Sequence, residues 1–305
     1  MTEFNLISPN GKKIHCVRWE PEGSIHCVVQ IVHGIAEHIA RYDEFANYLN
    51  QFGILVTGED HMGHGGTLEE RDPKGYFYDG WTAAVDNVYA LTKETKQLWP
   101  DVPYVILGHS MGSFLTRTLL YRYPDCGLSG AVICGTGWQS AAVVKAGLAI
   151  SRSMCHKIGE TQVSSSLHNM FFGPFNRKIP NPRTPFDWIC SDDTVVDAYA
   201  ADPLCSFCET VGLERDMLLG IQMNQKKENL SKMPKNLPVL FIAGSQDPVG
   251  SYGKGVRKSA EAFRKAGMVD VNTILYPNSR HEILNDVEKK QVYKDVLHWI
   301  EKKVL

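Results

Sequence analysis

Short runs of apolar residues alternate along this chain with longer segments in which apolar residues recur every three or four positions. The short runs are typical of buried strands, and the longer segments have the period of amphipathic helices. This alternation predicts right-handed crossovers and a mostly parallel sheet flanked by helices. The predicted strands are residues 26–32, 54–57, 104–107, 131–134, 238–243 and 272–275, and the predicted helices are residues 42–52, 81–99, 113–123, 252–265 and 286–304.

The start of the chain has a different pattern. Residues 14–19 form a strand-like run that follows the turn sequence Pro9-Asn10-Gly11. A turn of this kind before such a run is typical of a hairpin. We therefore expect a leading antiparallel hairpin before the parallel strands.

The alternation stops after residues 131–134. Residues 137–212 are rich in Ser, Pro, Asn, Met and aromatic residues, and they contain helical fragments but no strand-like run. An interval of this length is too long for a loop in a compact domain. It predicts a helical cap, or lid, at 137–212, inserted into an α/β core made of residues 1–136 and 213–305.

The most informative motif lies between a predicted strand and a predicted helix. Residues 108–112 read Gly-His-Ser-Met-Gly. A serine between two glycines at such a junction is the sequence form of a nucleophile elbow. A Cβ at either glycine would crowd the sharp turn that pushes the serine hydroxyl out of the sheet. The motif therefore predicts that Ser110 is a nucleophile.

A serine hydroxyl needs an imidazole to take its proton and a carboxylate to orient that imidazole. Asp247 follows the predicted strand 238–243, and His281 follows the predicted strand 272–275, so the three residues occur in the order Ser, Asp, His. Taken singly, Asp247 is also typical of a turn and His281 of a helix cap. His298, inside the closing helix, and His168, inside the cap, fit the role of the base less well.

The tetrahedral intermediate of acyl transfer also needs backbone N–H donors for its oxyanion. One donor is expected from Met111, directly after the nucleophile. The second is expected from the loop after strand 26–32, where Ile35 stands in a His-Gly-Ile sequence. These two N–H groups form the predicted oxyanion hole.

Four motifs together carry a resemblance to a known family. They are His-Gly-Ile-Ala-Glu-His at 33–38, Asp-His-Met-Gly-His-Gly at 60–65, the elbow at 108–112, and Ser-Gln-Asp-Pro at 245–248. In this order they resemble the monoacylglycerol lipase and lysophospholipase branch of the α/β-hydrolases, also described as the serine aminopeptidase S33 type. The resemblance covers nearly the whole chain and is weakest in the cap.

The resemblance implies an α/β-hydrolase fold with a triad and an oxyanion hole at the positions already named. It assigns Ser110 as the nucleophile, Asp247 and His281 as its partners, and the N–H groups of Ile35 and Met111 as the oxyanion hole. The chain departs from the family at Ser113, where a glycine is common. That difference leaves the triad unchanged but bears on how closely the elbow helix packs on the sheet.

Composition and charge exclude several other classes of function. The chain has 32 Lys and Arg against 34 Asp and Glu, a net charge of -2, which does not favour a nucleic-acid partner. The glycine-rich stretches at 63–66 and 250–255 lack the spacing of phosphate-binding loops. No cofactor and no metal are predicted. The patterns make no prediction of oligomeric state.

The cysteines and the amino-terminal residues bear on the compartment. Cys27 and Cys134 lie inside apolar runs, as reduced packing residues do. Cys205 and Cys208 form one Cys-x-x-Cys pair, without the second pair or the strand-helix context of a zinc or redox motif. The first residues lack a secretory leader, and no stretch reaches the roughly 20 apolar residues of a membrane span. We expect a cytoplasmic protein.

The cap composition points to the substrate. The cap has more apolar side chains than a solvent-exposed insertion needs. Those not required for packing suit the walls of an acyl tunnel. Residues 141–150 are apolar except for Lys145, a pattern compatible with transient contact with a lipid surface. The apolar cap residues are Trp138, Val143, Val144, Leu148, Ile150, Met154, Met170, Phe171, Phe172, Phe175, Phe186 and Trp188.

The predicted function is hydrolysis of a small lipid-like ester, such as a monoacylglycerol or lysophospholipid, through an acyl-enzyme intermediate. Three alternatives stay open at this point. An aminopeptidase of the same fold would bind a free amino group with cap carboxylates, for which Glu160, Asp187, Asp192 and Asp193 are the candidates. A thioesterase or acyltransferase would share every catalytic residue, and a non-enzymatic receptor would use the pocket only for binding.

Overall fold

Eight strands form one sheet in the computed structural model, which describes residues 1–305. The strands are β1 (Thr2–Ile7), β2 (Lys13–Trp19), β3 (Cys27–Val32), β4 (Ile54–Glu59), β5 (Tyr104–His109), β6 (Gly130–Cys134), β7 (Val239–Gly244) and β8 (Val271–Tyr276). The helices are α1 (Asp43–Asn50), α2 (Gly80–Leu98), α3 (Met111–Arg122), α4 (Ala141–Ile158), α5 (Ser165–Phe171), α6 (Asp193–Ala201), α7 (Val211–Asn224), α8 (Lys227–Leu230), α9 (Lys254–Lys265) and α10 (Lys289–Lys303).

The order of strands across the sheet is β1-β2-β4-β3-β5-β6-β7-β8. Strands β3 to β8 run parallel to one another, whereas β2 is antiparallel to both of its neighbours, β1 and β4. The predicted mostly parallel sheet and the leading hairpin are therefore confirmed. The hairpin closes where Ile7 pairs with Lys13 across the predicted turn.

Helices cover both faces of the sheet. Every residue of β3, β4, β5, β6 and β7 is buried. One apolar cluster joins the sheet to α2, α3 and α9, and a second joins the opposite face to α1 and α10. Burial on both faces explains why the sequence shows continuous apolar runs here rather than alternation.

The chain between β6 and β7 adds helices outside the sheet. Helix α7 packs against α3, where the Asn224 amide donates to the carbonyl oxygen of Phe114 at 2.8 Å and the Thr118 hydroxyl donates to Asn224 Oδ1 at 3.0 Å. Helix α4 in turn packs against α7. The predicted boundary at 212 and 213 falls just inside α7, whose first residue is Val211. None of the helices is both long and apolar enough to cross a bilayer.

The closing helix begins later than predicted, at Lys289 rather than at residue 286. The buried carboxylate of Asp286 accepts hydrogen bonds from the backbone N–H groups of Arg280, Ser191 and Val287 at 2.7, 3.1 and 2.8 Å. These bonds fix the preceding loop, so the helical conformation starts three residues further on. The other predicted helices of the core agree with the structure within a few residues.

Candidate active site

Ser110 lies at the sharp turn between β5 and α3. Its backbone has φ 53° and ψ -119°, outside the regions that a non-glycine residue ordinarily adopts. Its N–H donates to the carbonyl oxygen of Cys134 at 3.0 Å, which ties the turn to β6. Surrounding structure therefore holds Ser110 in a strained conformation, as at many functional sites.

The glycines on either side of this turn have no room for a side chain. A Cβ at Gly108 would lie 2.3 Å from Thr116 Oγ1 and 2.4 Å from the carbonyl oxygen of Gly112. A Cβ at Gly112 would lie 1.9 Å from the carbonyl oxygen of Val32. The steric reason given for the two glycines is confirmed.

Ser113, the position that departs from the family pattern, is fully buried in the first turn of α3. Its hydroxyl donates to the carbonyl oxygen of Ser110 at 2.6 Å. The serine is accommodated against the sheet, and its hydrogen bond to the backbone of Ser110 helps to hold the elbow.

Asp247 and His281 face each other at the same edge of the sheet. Asp247 Oδ2 lies 3.0 Å from His281 Nδ1, and the two side chains are 0% and 3% exposed. The other carboxylate oxygen accepts from the N–H of Val249 at 2.8 Å. His281 Nε2 has no hydrogen-bond partner in the protein, and His281 lines the same cleft as Ser110.

The loop after β3 brings Ile35 to the same cleft. The Ile35 N–H donates to no group of the protein. Met111 is the first residue of α3, where the N–H has no partner within the helix. A Cβ at Gly34 would lie 2.6 Å from Glu37 Oε1 and 3.1 Å from Ser110 Cβ, so a side chain here would displace Glu37 or crowd the elbow.

His33 fixes the conformation of this loop. One ring nitrogen, Nε2, accepts from the N–H of His61 at 3.0 Å, and Nδ1 lies 2.7 Å from the carbonyl oxygen of Gly34. Burial, together with His61 and His64, holds the pKa of His33 well below its ordinary value. A neutral His33 donates at one nitrogen and accepts at the other, as both contacts require.

A buried charged network lies beside the cleft, and the sequence pattern did not identify it. Glu37 accepts from the N–H of Gly34 at 2.5 Å and lies 3.1 Å from His109 Nδ1. Arg41 binds Glu282 through two nitrogens at 2.7 and 2.6 Å and reaches Glu37 at 2.9 Å. Although burial opposes its charge, His109 and Arg41 hold the pKa of Glu37 well below its ordinary value. The only sequence signal was the position of Glu37, three residues after Gly34.

The cleft beside Ser110 is narrow: about 80 Å³ is free inside it, and the volume rises to about 670 Å³ when the space that opens to solvent is included. The Trp188 ring lies 5.1 Å from the His281 ring, centroid to centroid. Phe172 and Phe186 line the same wall. The side chains that line the cleft are mostly contributed by the predicted cap, namely His168, Asn169, Phe172, Pro185, Phe186, Trp188, Ile189, Tyr199, Phe207 and Glu209.

The other apolar cap residues are buried, exposed or, as for Trp138, Met154, Phe171 and Phe175, half-buried. Val144 and Leu148 are buried in the cluster shared with α2 and α3. Val143, Ile150 and Met170 are instead exposed, by 56%, 42% and 44%. Only part of the apolar surface of the cap therefore faces the cleft.

None of the four cap carboxylates considered for amine binding lines the cleft. Glu160 pairs with Arg215, and Asp187 accepts from the N–H groups of Arg183 and Thr184. Asp192 caps the start of α6, and Asp193 pairs with Arg183. The carboxylates that do line the cleft are Glu37, Glu209 and Glu282.

The chain is similar to known proteins over nearly its whole length. Residues 23–288 match the model of the family described as serine aminopeptidase, S33. The chain is 28% identical to the monoacylglycerol lipase of Mycolicibacterium smegmatis over 301 residues, 98% of this chain and 96% of that protein. It is 27% identical to the monoglyceride lipase of Mus musculus over 300 residues, 96% of this chain and 87% of that protein.

A solved structure shows the same fold over the full length. The crystal structure of a highly thermostable carboxyl esterase from Bacillus coagulans in complex with glycerol superposes with a TM-score of 0.93. The two chains are 29% identical, and the match covers 100% of this chain and 99% of that one. The predicted α/β-hydrolase fold is thereby confirmed, and the chain belongs to the serine aminopeptidase S33 family of α/β-hydrolases.

Proposed function

We propose that this protein is a serine hydrolase of small lipid-like carboxylic esters, with a monoacylglycerol or a lysophospholipid as the substrate class. The observation that carries the proposal is the arrangement of the three predicted triad residues at one cleft. Ser110 and His281 line it together, and Asp247 stands 3.0 Å behind the imidazole. The relatives named as monoacylglycerol lipases and a carboxyl esterase support the same class of reaction.

In this mechanism His281 Nε2 takes the proton of the Ser110 hydroxyl as the oxygen attacks the ester carbonyl. Asp247 stabilises the imidazolium that forms. The N–H groups of Ile35 and Met111 stabilise the oxyanion, each contributing about 3 kcal/mol. His281 then protonates the leaving alcohol, and a water that His281 activates hydrolyses the acyl-enzyme and restores the hydroxyl.

The composition of the cleft supports an acyl substrate. The aromatic wall formed by Phe172, Phe186 and Trp188 accepts an apolar chain next to His281. Adaptable walls of this kind suit flexible ligands, whose polar end is then placed by a few polar groups.

The aminopeptidase alternative is less well supported. The carboxylates at the cleft already have cationic or imidazole partners: Glu37 and Glu282 bind Arg41, and Glu209 lies 3.1 Å from His168. A free amino group would have to displace one of these partners. Comparing aminoacyl arylamides with acyl esters distinguishes the two activities, and competition by added alcohol or thiol acceptors identifies a transferase or thioesterase preference.

Two further parts of the proposal concern the surroundings of the enzyme. The exposed apolar residues Val143 and Ile150 on α4 favour transient contact of the cap with a lipid surface. Cosedimentation with phosphatidylcholine vesicles tests this, and loss of binding in V143S/I150S is the expected result.

All eight cysteines are free thiols, which agrees with the reducing cytoplasm, and fractionation of cells tests that location.

The decisive experiment is the replacement Ser110→Ala. We expect p-nitrophenyl ester turnover and fluorophosphonate labelling to be lost without loss of folding, because the nucleophile is removed. Ser113→Ala is the matched control, since it removes a hydroxyl from the same turn that only bonds a carbonyl oxygen. Labelling of Ser110→Ala at the rate of the unchanged protein would refute the proposal.

A further inference from the structure

The two cysteines of the Cys-x-x-Cys pair take part in different polar clusters on the two sides of one loop. Cys208 lies with His168 and Glu209, and Cys205 lies with His38 and Asp202. In each cluster the ligand atoms of the three residues all lie within 4.8 Å of one another. The pair therefore does not form one joint site, although each cysteine has a histidine and a carboxylate beside it.

The cluster around Cys208 places an imidazole, a thiol and two buried carboxyl groups side by side. His168 Nδ1 lies 3.1 and 3.2 Å from the two oxygens of Glu209, which is 1% exposed. Glu214, on α7, is also 1% exposed, and neither of its carboxylate oxygens has a hydrogen-bond partner. Burial and the neighbouring Glu209 raise the pKa of Glu214 to about 10, so Glu214 is a neutral carboxyl group beside the anionic Glu209.

Buried carboxyl groups without partners are costly, and a bound cation is one way to satisfy them. The donor set here is an imidazole nitrogen, a thiol sulfur and carboxylate oxygens. This combination is typical of zinc, which binds sulfur, nitrogen and oxygen in tetrahedral sites. His168 is 25% exposed on its side chain and Cys208 is half-buried, so an ion has access from the cleft.

We propose that His168, Cys208 and Glu209 form a binding site for a zinc ion in the wall of the cleft, with Glu214 as the supporting carboxylate. Three protein ligands leave a fourth position for water or for a carboxylate such as a fatty acid product. Zinc binding at these residues does not depend on the proposed function.

The position of the cluster suggests a consequence for turnover, which rests on the proposed function. His168 and Glu209 line the cleft together with Ser110. The His168 ring stacks on Phe172 with a centroid separation of 4.9 Å. An ion on His168 would fix this part of the aromatic wall, so zinc should slow the hydrolysis of long-chain esters more than that of p-nitrophenyl acetate.

The second cluster provides the matched control. His38 Nε2 lies 2.9 Å from Asp202 Oδ2, and Asp202 Oδ1 accepts from the N–H of Leu204 at 2.8 Å. Its polar groups are already satisfied, and Cys205 is only 3% exposed. Cys205→Ser therefore removes a thiol from the same loop without touching the proposed ligands.

The test is titration of the full-length, tag-free protein with Zn²⁺ by calorimetry, and with Co²⁺ by absorption spectroscopy, in a non-chelating reductant. The Ser110→Ala protein is used throughout, so that the result is independent of catalysis. We expect one Zn²⁺ per chain and a thiolate-to-cobalt charge-transfer band. Both should be lost in Cys208→Ser and His168→Gln and kept in Cys205→Ser.

The supporting carboxylate is tested separately. Glu214→Gln should weaken zinc binding by about 10- to 100-fold, the usual effect of removing a partner of the ligands. If the unchanged chain shows no saturable binding, or if Cys205→Ser abolishes binding while Cys208→Ser does not, the proposal is wrong. Circular dichroism of each variant checks that the loss is not unfolding, and Cys208→Asp, which keeps an anionic donor, should retain part of the affinity.

Discussion

The role proposed for Asp247 leads to a quantitative expectation for Asp247→Asn. Its carboxylate lies 3.0 Å from His281 Nδ1, and both groups are buried. At an effective dielectric constant of about 20, opposite charges at this separation attract by about 5 kcal/mol. This attraction arises only when His281 becomes an imidazolium in the transition state, so its loss should lower kcat roughly 10³- to 10⁴-fold.

The substitution also changes the tautomer of the imidazole. An amide nitrogen facing Nδ1 would favour a proton on Nε2, the atom that must accept the proton of Ser110. The amide oxygen can still accept from the N–H of Val249, so the loop should keep its conformation. KM is expected to change little, because Asp247 does not line the cleft.

The assay is steady-state hydrolysis of p-nitrophenyl butyrate, together with the rate of fluorophosphonate labelling, which should fall in parallel. Asp60→Asn is the matched control because Asp60 is also a buried aspartate but does not line the cleft. We expect kcat of this control within tenfold of the unchanged protein. An Asp247→Asn enzyme that keeps kcat within tenfold would refute the assigned role.

Two further predictions concern stability. Gly112→Ala would place a Cβ 1.9 and 2.5 Å from the backbone carbonyl oxygens of Val32 and His33, so we expect the free energy of unfolding to fall by several kcal/mol. In the control Gly173→Ala the atom nearest to the added Cβ is 4.0 Å away, so the midpoint of urea unfolding should stay nearly unchanged. Equal midpoints for the two variants would contradict the packing argument. Although burial opposes its charge, His15 and the N–H groups of Ile39 and Gly66 lower the pKa of Asp60 to about 2. A carboxyl whose pKa is lower in the folded protein stabilises it above the unfolded pKa of about 3.9, and that contribution is lost as the pH falls through the folded value. Asp60→Asn should therefore lower the free energy of urea unfolding by about 2 kcal/mol at pH 6. The difference between the variant and the unchanged protein should narrow between pH 4 and pH 2. A difference that stays constant over that range would show that the charge of Asp60 is not responsible.

Much of the sheet could be predicted from the sequence because burial on both faces leaves a direct trace. Strands such as β5 and β7 are continuous apolar runs that end at a glycine or a polar turn. The amino-terminal strand β1 is mostly exposed and has no such run, so only the turn that follows it indicated a hairpin. The start of α10 was misplaced because it depends on Asp286 bonding to distant Ser191, a contact that periodicity cannot reveal.

The sequence by itself determined the family, the order of the strands along the chain, and the elbow, since a Gly-His-Ser-Met-Gly motif at a strand-helix junction is a local feature. Tertiary structure alone decided which polar groups meet. Arg41 binds Glu282 across 241 positions, and His168 reaches Glu209 across 41. The hydrophobic pattern of the sequence indicates which residues are buried. Which buried charges pair depends on how separate elements pack, and this packing places the charged network and the proposed zinc ligands at the cleft.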